Sequence, residues 1–159
     1  MNIVEFYLKT HNKLIILILG INIDISNHHL YAEKLVEDLN SEKNGMNFKY
    51  IKITKEEDIN YDILKENSSS GIVISSNYAL EQEYLDFVIY IDTPLKVLKA
   101  RGLKQTLDLD AMDLFKKSYK INKFINDTNY SQIFTVNKVV DNFIYDKLWD
   151  NVIELIIRN

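Results

Sequence analysis

Residues 14–20 read Leu-Ile-Ile-Leu-Ile-Leu-Gly, an uninterrupted run of aliphatic side chains that ends in a glycine. A continuous apolar run of this length is typical of a β-strand buried on both faces, as the strands of a parallel sheet are. It is far shorter than the roughly 20 residues that a membrane-spanning helix needs. The run therefore predicts an interior strand, and Gly20 marks the point at which the chain leaves the sheet.

Four more short apolar runs follow, and segments with helical periodicity separate them. The strand-like runs are Phe48–Ile53, Gly71–Ser75, Phe87–Ile91 and Ile133–Val140. The helical segments are His28–Asn40, a segment from Pro94 to about Leu103, Asp108–Ile125 and a segment that begins at Asp141. This alternation predicts an α/β domain in which a five-stranded parallel sheet carries helices on both faces.

Two of these helical segments carry apolar stripes that we expect to face the sheet. In the first, Tyr31, Leu35 and Leu39 recur at the spacing of one helical face. In Asp108–Ile125 the apolar positions are Leu114, Tyr119, Ile121 and Ile125, and the lysines are Lys116, Lys117, Lys120 and Lys123. Because aspartates surround these lysines in the sequence, we interpret them as a solvated helix face and not as a nucleic-acid patch.

The composition is that of a single globular domain covering residues 1–159. The chain is 47% hydrophobic and 26% charged, with a formal net charge of -4 that gives no reason to expect nucleic acid as a partner. Without cysteine, disulfides and thiolate metal sites are excluded. His28 and His29 are adjacent and would point about 100° apart on a helix, so we expect no metal site.

The N-terminal segment is polar, carries Glu5 and does not resemble a signal peptide. We therefore expect a cytoplasmic protein with no membrane contact. The abundance of Ile, Asn, Lys and Tyr is typical of an AT-rich genome, bacterial or viral, and a viral source would change the expected location to the host cytoplasm or the virion.

Three segments beyond the first strand resemble uridine kinases and related P-loop nucleoside kinases. They are Gly71-Ile-Val-Ile-Ser-Ser-Asn-Tyr-Ala-Leu80, Tyr84-Leu-Asp-Phe-Val-Ile-Tyr-Ile-Asp-Thr-Pro94 and Ala100-Arg-Gly-Leu-Lys104. In that family one strand ends in Glu-Gly before a Tyr-Ala-Leu-like turn, a second ends in Asp-Thr, and a helix carries arginines. The resemblance implies a three-layer P-loop NTPase-like fold with sheet order 2-3-1-4-5 and a phosphate loop after the first strand.

The expected phosphate loop departs from the family's pattern. A working loop reads G-x-x-x-x-G-K-[ST], in which glycines let backbone N–H groups surround the phosphates, the lysine reaches the outer phosphates and the hydroxyl binds magnesium. Counted from Gly20, the second glycine is replaced by Ile25, the lysine by Ser26 and the hydroxyl residue by Asn27. Asp24 adds a negative charge where an anion would bind. We therefore expect residues 20–27 not to form an anion nest.

Other catalytic parts of such kinases are also missing. Ser75-Ser76 replaces the Glu-Gly pair, whose acidic residue lies beside the metal in that family. No Asp-His-Pro stretch lies between Phe48 and Leu64, and the lid arginines are reduced to Arg101. Phosphoryl transfer depends on positioning and on electrostatic stabilisation by these groups. The sequence therefore predicts no catalytic residues.

Two groups of residues are candidates for a binding site. Gly20, Asp24, Ser26 and Asn27 form the degenerate nucleotide loop, and Arg101, Tyr61 and Tyr78 are candidates for substrate binding. Each has a structural alternative. Gly20 would provide a tight turn, the three polar loop residues would cap a helix, Arg101 would form a surface ion pair, and the tyrosines would pack against the core.

Three functions remain open at this point. The first is a catalytically inactive nucleoside-kinase-like protein with a binding or structural role, whose partner is a nucleoside-like small molecule or another protein. The second is a small active nucleoside or nucleotide kinase with an atypical loop, the only one of the three that requires ATP and magnesium as cofactors. The third is an assembly component, for example of a viral particle. A homo-oligomer is compatible with all three.

Overall fold

The computed structural model describes residues 13–21, 28–41, 46–65, 71–92, 111–127 and 133–137. One parallel sheet contains the strands β1 (Leu14–Leu19), β2 (Phe48–Ile53), β3 (Gly71–Ser76), β4 (Phe87–Asp92) and β5 (Ile133–Asn137). The helices are α1 (His28–Leu39), α2 (Tyr61–Leu64) and α3 (Ala111–Asp127), with single 3-10 turns at Glu56–Asp58 and Gln82–Tyr84. An α/β domain with a parallel sheet is thereby confirmed. The helices predicted from Pro94 and from Asp141 lie outside the described residues.

Strand β1 occupies the middle of the sheet, whose order is β2-β3-β1-β4-β5. It pairs with β3 on one side and with β4 on the other, and all six of its residues are buried. Burial on both faces and both edges explains why its sequence is a continuous aliphatic run. The prediction of an interior strand at Leu14–Leu19 is confirmed.

Alternate residues of the strands point to two apolar layers. On the face that we call the α1 face, Leu14, Ile16 and Ile18 belong to the same buried cluster as Tyr31, Leu35 and Leu39 of α1. On the opposite face, the α3 face, Ile15, Leu17 and Leu19 share a cluster with Leu64 of α2 and Ile121 of α3. Helices therefore cover both faces of the sheet.

The buried stripe of α3 differs from the predicted one. Ile121 is buried, Phe124 and Ile125 are partly buried, and Tyr119 is 64% exposed. Positions 124 and 125 follow Ile121 by one helical turn and share its face, whereas Tyr119 lies two residues away, or about 200° around the helix. The prediction that Tyr119 packs in the core was wrong. The predicted solvated face is confirmed at positions 116, 120 and 123, which are exposed.

The strand ends are fixed by specific contacts. Asp86, just before β4, accepts a hydrogen bond from the Ile15 N–H through Oδ2 (2.8 Å) and donates its own backbone N–H to the Ile15 carbonyl (2.9 Å). Gly71 begins β3, where an added Cβ would overlap the Leu14 carbonyl oxygen and lie 2.5 Å from Cε1 of Phe48. A glycine is therefore needed where β3 enters the sheet between β1 and β2. No helix in the described ranges combines the length and the apolar character needed to cross a bilayer.

Candidate functional site

The carboxyl ends of β1 and β3 form the topological switch point of the sheet. After β1 the chain returns through α1 on one face, and after β3 it passes Leu80 and Leu85, which pack on the other face. Chains that leave neighbouring parallel strands toward opposite faces open a crevice, which is where ligands of open α/β sheets bind. The Gly20 N–H donates to the Ser76 carbonyl at 3.1 Å, which holds the two strand ends together.

His28 fills the space next to Gly20. Its side chain is fully buried, and a Cβ added to Gly20 would overlap Nδ1 of the imidazole and lie 2.6 Å from Cγ and 2.8 Å from Cε1. The Gly20 backbone is not in the left-handed region, and what requires a glycine here is the close approach of the first residue of α1. The tight turn expected after β1 involves residues 22–27, which lie outside the described residues, so it stays a prediction.

Ser75, where the resembling family has an acidic residue, binds a tyrosine of the neighbouring strand. Its buried hydroxyl lies 2.7 Å from the Tyr50 hydroxyl, and the two side chains share a hydrogen bond. Burial raises the pKa of Tyr50 above 10.0 and Glu33 raises it further, while the Ser75 hydrogen bond acts in the opposite direction. Both hydroxyls are thus committed to a contact within the protein.

Ser76, the last residue of β3, and Asn77, the residue after it, differ in whether their side chains have hydrogen-bond partners. Ser76 Oγ accepts from the Tyr78 N–H (2.9 Å) and donates to the Tyr78 carbonyl (2.7 Å), forming a closed local turn. Asn77 is only 6% exposed, and its buried Oδ1 has no hydrogen-bond partner. A buried polar atom without a partner is uncommon in folded proteins. Asn77 therefore carries a buried acceptor at this edge that the fold does not satisfy.

The two tyrosines predicted to bind substrate are both engaged within the protein. Tyr61 stacks on Tyr84 with ring centroids 4.6 Å apart and planes inclined by 21°, and its hydroxyl accepts the Glu81 N–H at 3.1 Å. Lys117 Nζ of α3 lies 5.6 Å from the centroid of the Tyr78 ring. These contacts match the alternative role of packing. Binding of a base by either ring stays a prediction.

The remaining predicted site residues are Asp24, Ser26, Asn27 and Arg101, and all four lie outside the described residues. The prediction that residues 20–27 form no anion nest therefore also stays a prediction. Within the described ranges, no three His, Cys, Asp or Glu side chains converge as a metal site would require.

A small apolar pocket lies on the α3 face beside β2. Its lining includes Ile51, Ile53, Ile59, Ile63, Leu80 and Tyr61, and its water-accessible volume is about 20 Å³. That volume holds about one water molecule, whereas ligand pockets usually measure about 300–1,000 Å³. The pocket as it stands does not accommodate a nucleoside.

The sequence analysis did not predict that His28 fills the space next to Gly20, although the sequence contains a pattern that indicates it. The stripe of Tyr31, Leu35 and Leu39 extends back by three residues to His28, which places the imidazole on the sheet-facing side of α1. The histidine was considered only as a metal ligand. Searches of this sequence against protein-family models and against curated proteins find no match.

Proposed function

We propose that this chain is a non-catalytic relative of P-loop nucleoside kinases that binds a partner or serves a structural role without binding nucleotide phosphates. The proposal includes the P-loop NTPase-like identity of the five-stranded fold. In its support, the order β2-β3-β1-β4-β5 agrees with the order that the resemblance implies, and Gly20 follows the central strand where a phosphate loop would begin.

The observation that carries the proposal is the position of His28. In a phosphate loop the space after the first glycine belongs to the anion and to the backbone N–H groups that bind it. Here a buried imidazole contacts Gly20 closely enough to exclude even a methyl group. A phosphate could enter only if the first turn of α1 moved.

Two further observations support the same conclusion. No lysine occurs between Lys13 and Lys34, so no side chain near Gly20 in the sequence supplies the charge that reaches the outer phosphates. Ser75 stands where the family has a carboxylate beside the metal, and its hydroxyl is used by Tyr50. Losing one buried charge-assisted contact typically costs about 1.5–3 kcal/mol, or one to two orders of magnitude in affinity.

Isothermal titration with magnesium-ATP tests the proposal. We expect no measurable heat at millimolar nucleotide and no phosphorylation of uridine, cytidine or thymidine. A dissociation constant below about 100 µM, near −5.5 kcal/mol, would contradict the proposal and favour an active kinase with an atypical loop.

Engineered recovery of the loop provides a positive control for the role of His28. Ile25→Gly, Ser26→Lys and Asn27→Thr together should restore weak ATP binding only when His28→Ala is also present. Turnover should stay absent, because the metal carboxylate is not restored. Equal ATP binding with and without His28→Ala would show that the imidazole does not close the site.

A thermal-shift panel separates a binding role from a structural one. Stabilisation by uridine, cytidine, thymidine or adenosine, without further gain from the triphosphate forms, would favour a nucleoside-binding module. No response to any of them would favour a structural role within an assembly.

A further inference from the structure

The outer edge of β2 offers backbone groups for one more strand. Among the strands that the structure describes, β2 lies at one end of the sheet, and its described partner is β3. Successive residues of a strand direct their N–H and C=O groups to alternate edges. The Ile53 carbonyl accepts the Asn77 N–H on the β3 side, so Tyr50 and Lys52 direct their backbone groups outward. The side chain of Lys52 is exposed and that of Tyr50 is half-buried.

One position of this edge is already closed. The Asn40 side chain, just after α1, accepts the Phe48 N–H through Oδ1 (2.6 Å) and donates Nδ2 to the Phe48 carbonyl (2.9 Å). This pair of contacts imitates the hydrogen bonds that a neighbouring strand would make. An added strand can therefore bond to Tyr50 and Lys52 but not to Phe48.

We propose that β2 pairs antiparallel with β2 of a second copy of this chain, in a register centred on Ile51. In that register Tyr50 of each copy lies opposite Lys52 of the other, and the two pairs exchange four backbone hydrogen bonds. The two parallel sheets then join into one continuous sheet. The inference does not depend on the proposed function.

The edge itself selects this register. Centring the pairing on Tyr50 would place Lys52 opposite Phe48, whose backbone groups Asn40 already occupies. Centring it on Lys52 would place two lysines directly opposite each other, which is destabilising. An edge lysine generally discourages indiscriminate pairing. Of the registers centred on Tyr50, Ile51 and Lys52, the one centred on Ile51 combines complementary backbone groups with no like charges opposite each other.

Side chains on both faces of the joined edge are complementary. On the α3 face, Ile51 would meet its symmetry mate in the closer, non-hydrogen-bonded type of pair, next to the half-buried Ile59 and to Ile63, which is 36% exposed. On the α1 face, Lys52 of one copy would lie against Tyr50 of the other, whose hydroxyl is within the electrostatic influence of Glu33. The new contacts therefore cover apolar surface and bring a lysine near a glutamate.

Sedimentation velocity of the full chain tests this interface at protein concentrations from about 5 to 500 µM, which suit a small interface of this kind. We expect a reversible monomer–dimer equilibrium. Lys52→Pro should abolish dimerisation, because it removes an outward N–H without touching the ladder to β3. Lys52→Ala, the matched control, retains that N–H and should still dimerise.

A charge exchange keeps the test independent of folding. Lys52→Glu and Glu33→Lys should each weaken dimerisation by about tenfold, equivalent to about 1.4 kcal/mol, and the double variant should recover most of the loss. Melting temperatures of the same variants separate an effect within one chain from an effect between copies. A monomer across the whole range, equal association of Lys52→Pro and Lys52→Ala, or no recovery in the double variant would each overturn the proposal.

Discussion

The contact between Gly20 and His28 can be measured as a coupling between two substitutions. In Gly20→Ala the new Cβ would overlap Nδ1 of His28 and lie 2.6 Å from Cγ of this fully buried ring. Overpacking of this kind costs about 1–3 kcal/mol. Replacing glycine by alanine where the backbone permits it returns about 0.4–1 kcal/mol by reducing the entropy of the unfolded chain. We expect a net loss of about 1–2 kcal/mol.

His28→Ala should cost about 2–4 kcal/mol by itself, because it leaves a cavity under α1. In the double variant the clash is absent, so Gly20→Ala should become neutral or stabilising in that background. Urea unfolding of the four proteins gives the coupling energy, which we expect to be about 1–3 kcal/mol in favour of the double variant.

Gly71→Ala is the matched control for this cycle, because its Cβ would meet Leu14 and Phe48 instead of His28. It should destabilise the protein equally in the presence and absence of His28. Additivity of Gly20→Ala and His28→Ala within about 0.5 kcal/mol would refute the reasoning, since the imidazole would then not limit the space at Gly20.

Three further predictions concern single hydrogen-bonding groups, each compared with the unmodified protein by urea unfolding. Asn77→Leu should leave stability unchanged or raise it by about 1 kcal/mol, because it replaces a buried, unsatisfied acceptor with an apolar group, and a loss above that size would contradict it. Tyr50→Phe should cost about 1–2 kcal/mol because it leaves the buried Ser75 hydroxyl without its partner. Because burial raises the folded-state pKa of Tyr50 above 10.0, the folded state retains the proton more tightly, so stability should fall as pH rises beyond about 10, and less steeply in Tyr50→Phe. Asn40→Ala should cost about 1–3 kcal/mol for two lost hydrogen bonds and accelerate amide hydrogen exchange at Phe48, whereas unchanged exchange there would count against the contact.

Strands β1 and β3 could be predicted from sequence because burial on both faces leaves a simple signature, whereas β2 is only partly buried. Phe48–Ile53 was predicted with its observed bounds, and β3 and β4 each extend one residue beyond the predicted ends. The first helix was predicted to within one residue because its buried stripe repeats at helical spacing. The stripe predicted for α3 was wrong at Tyr119, because this residue lies about 200° around the helix from the buried Ile121.

The contacts at the carboxyl edge could be predicted only in part. The absence of lysine from residues 14–33 is visible in the sequence. The hydrogen bond between Tyr50 and Ser75, in contrast, depends on the register of β2 against β3, which no local pattern determines. The clamp of Asn40 on Phe48 likewise depends on how the chain turns between α1 and β2. These contacts form only when the strands are paired in the sheet. The apolar runs, in contrast, can be recognised in the local sequence, because they reflect burial away from water.

Packing and the proposed loss of phosphate binding have the same physical origin at His28. A phosphate-binding loop keeps several backbone N–H groups directed at an empty space, an arrangement that is unfavourable until the anion arrives. Here the sheet-facing stripe of α1 begins at its first residue, His28, whose buried imidazole packs against Gly20. A residue that stabilises the ligand-free fold thereby makes the crevice a poorer anion site, which is the usual direction of the exchange between stability and function. Residues 14–33 contain no lysine that could offset that effect by attracting an anion. Asn77, whose buried Oδ1 has no hydrogen-bond partner, lies one residue beyond the end of β3 at the same edge of the sheet.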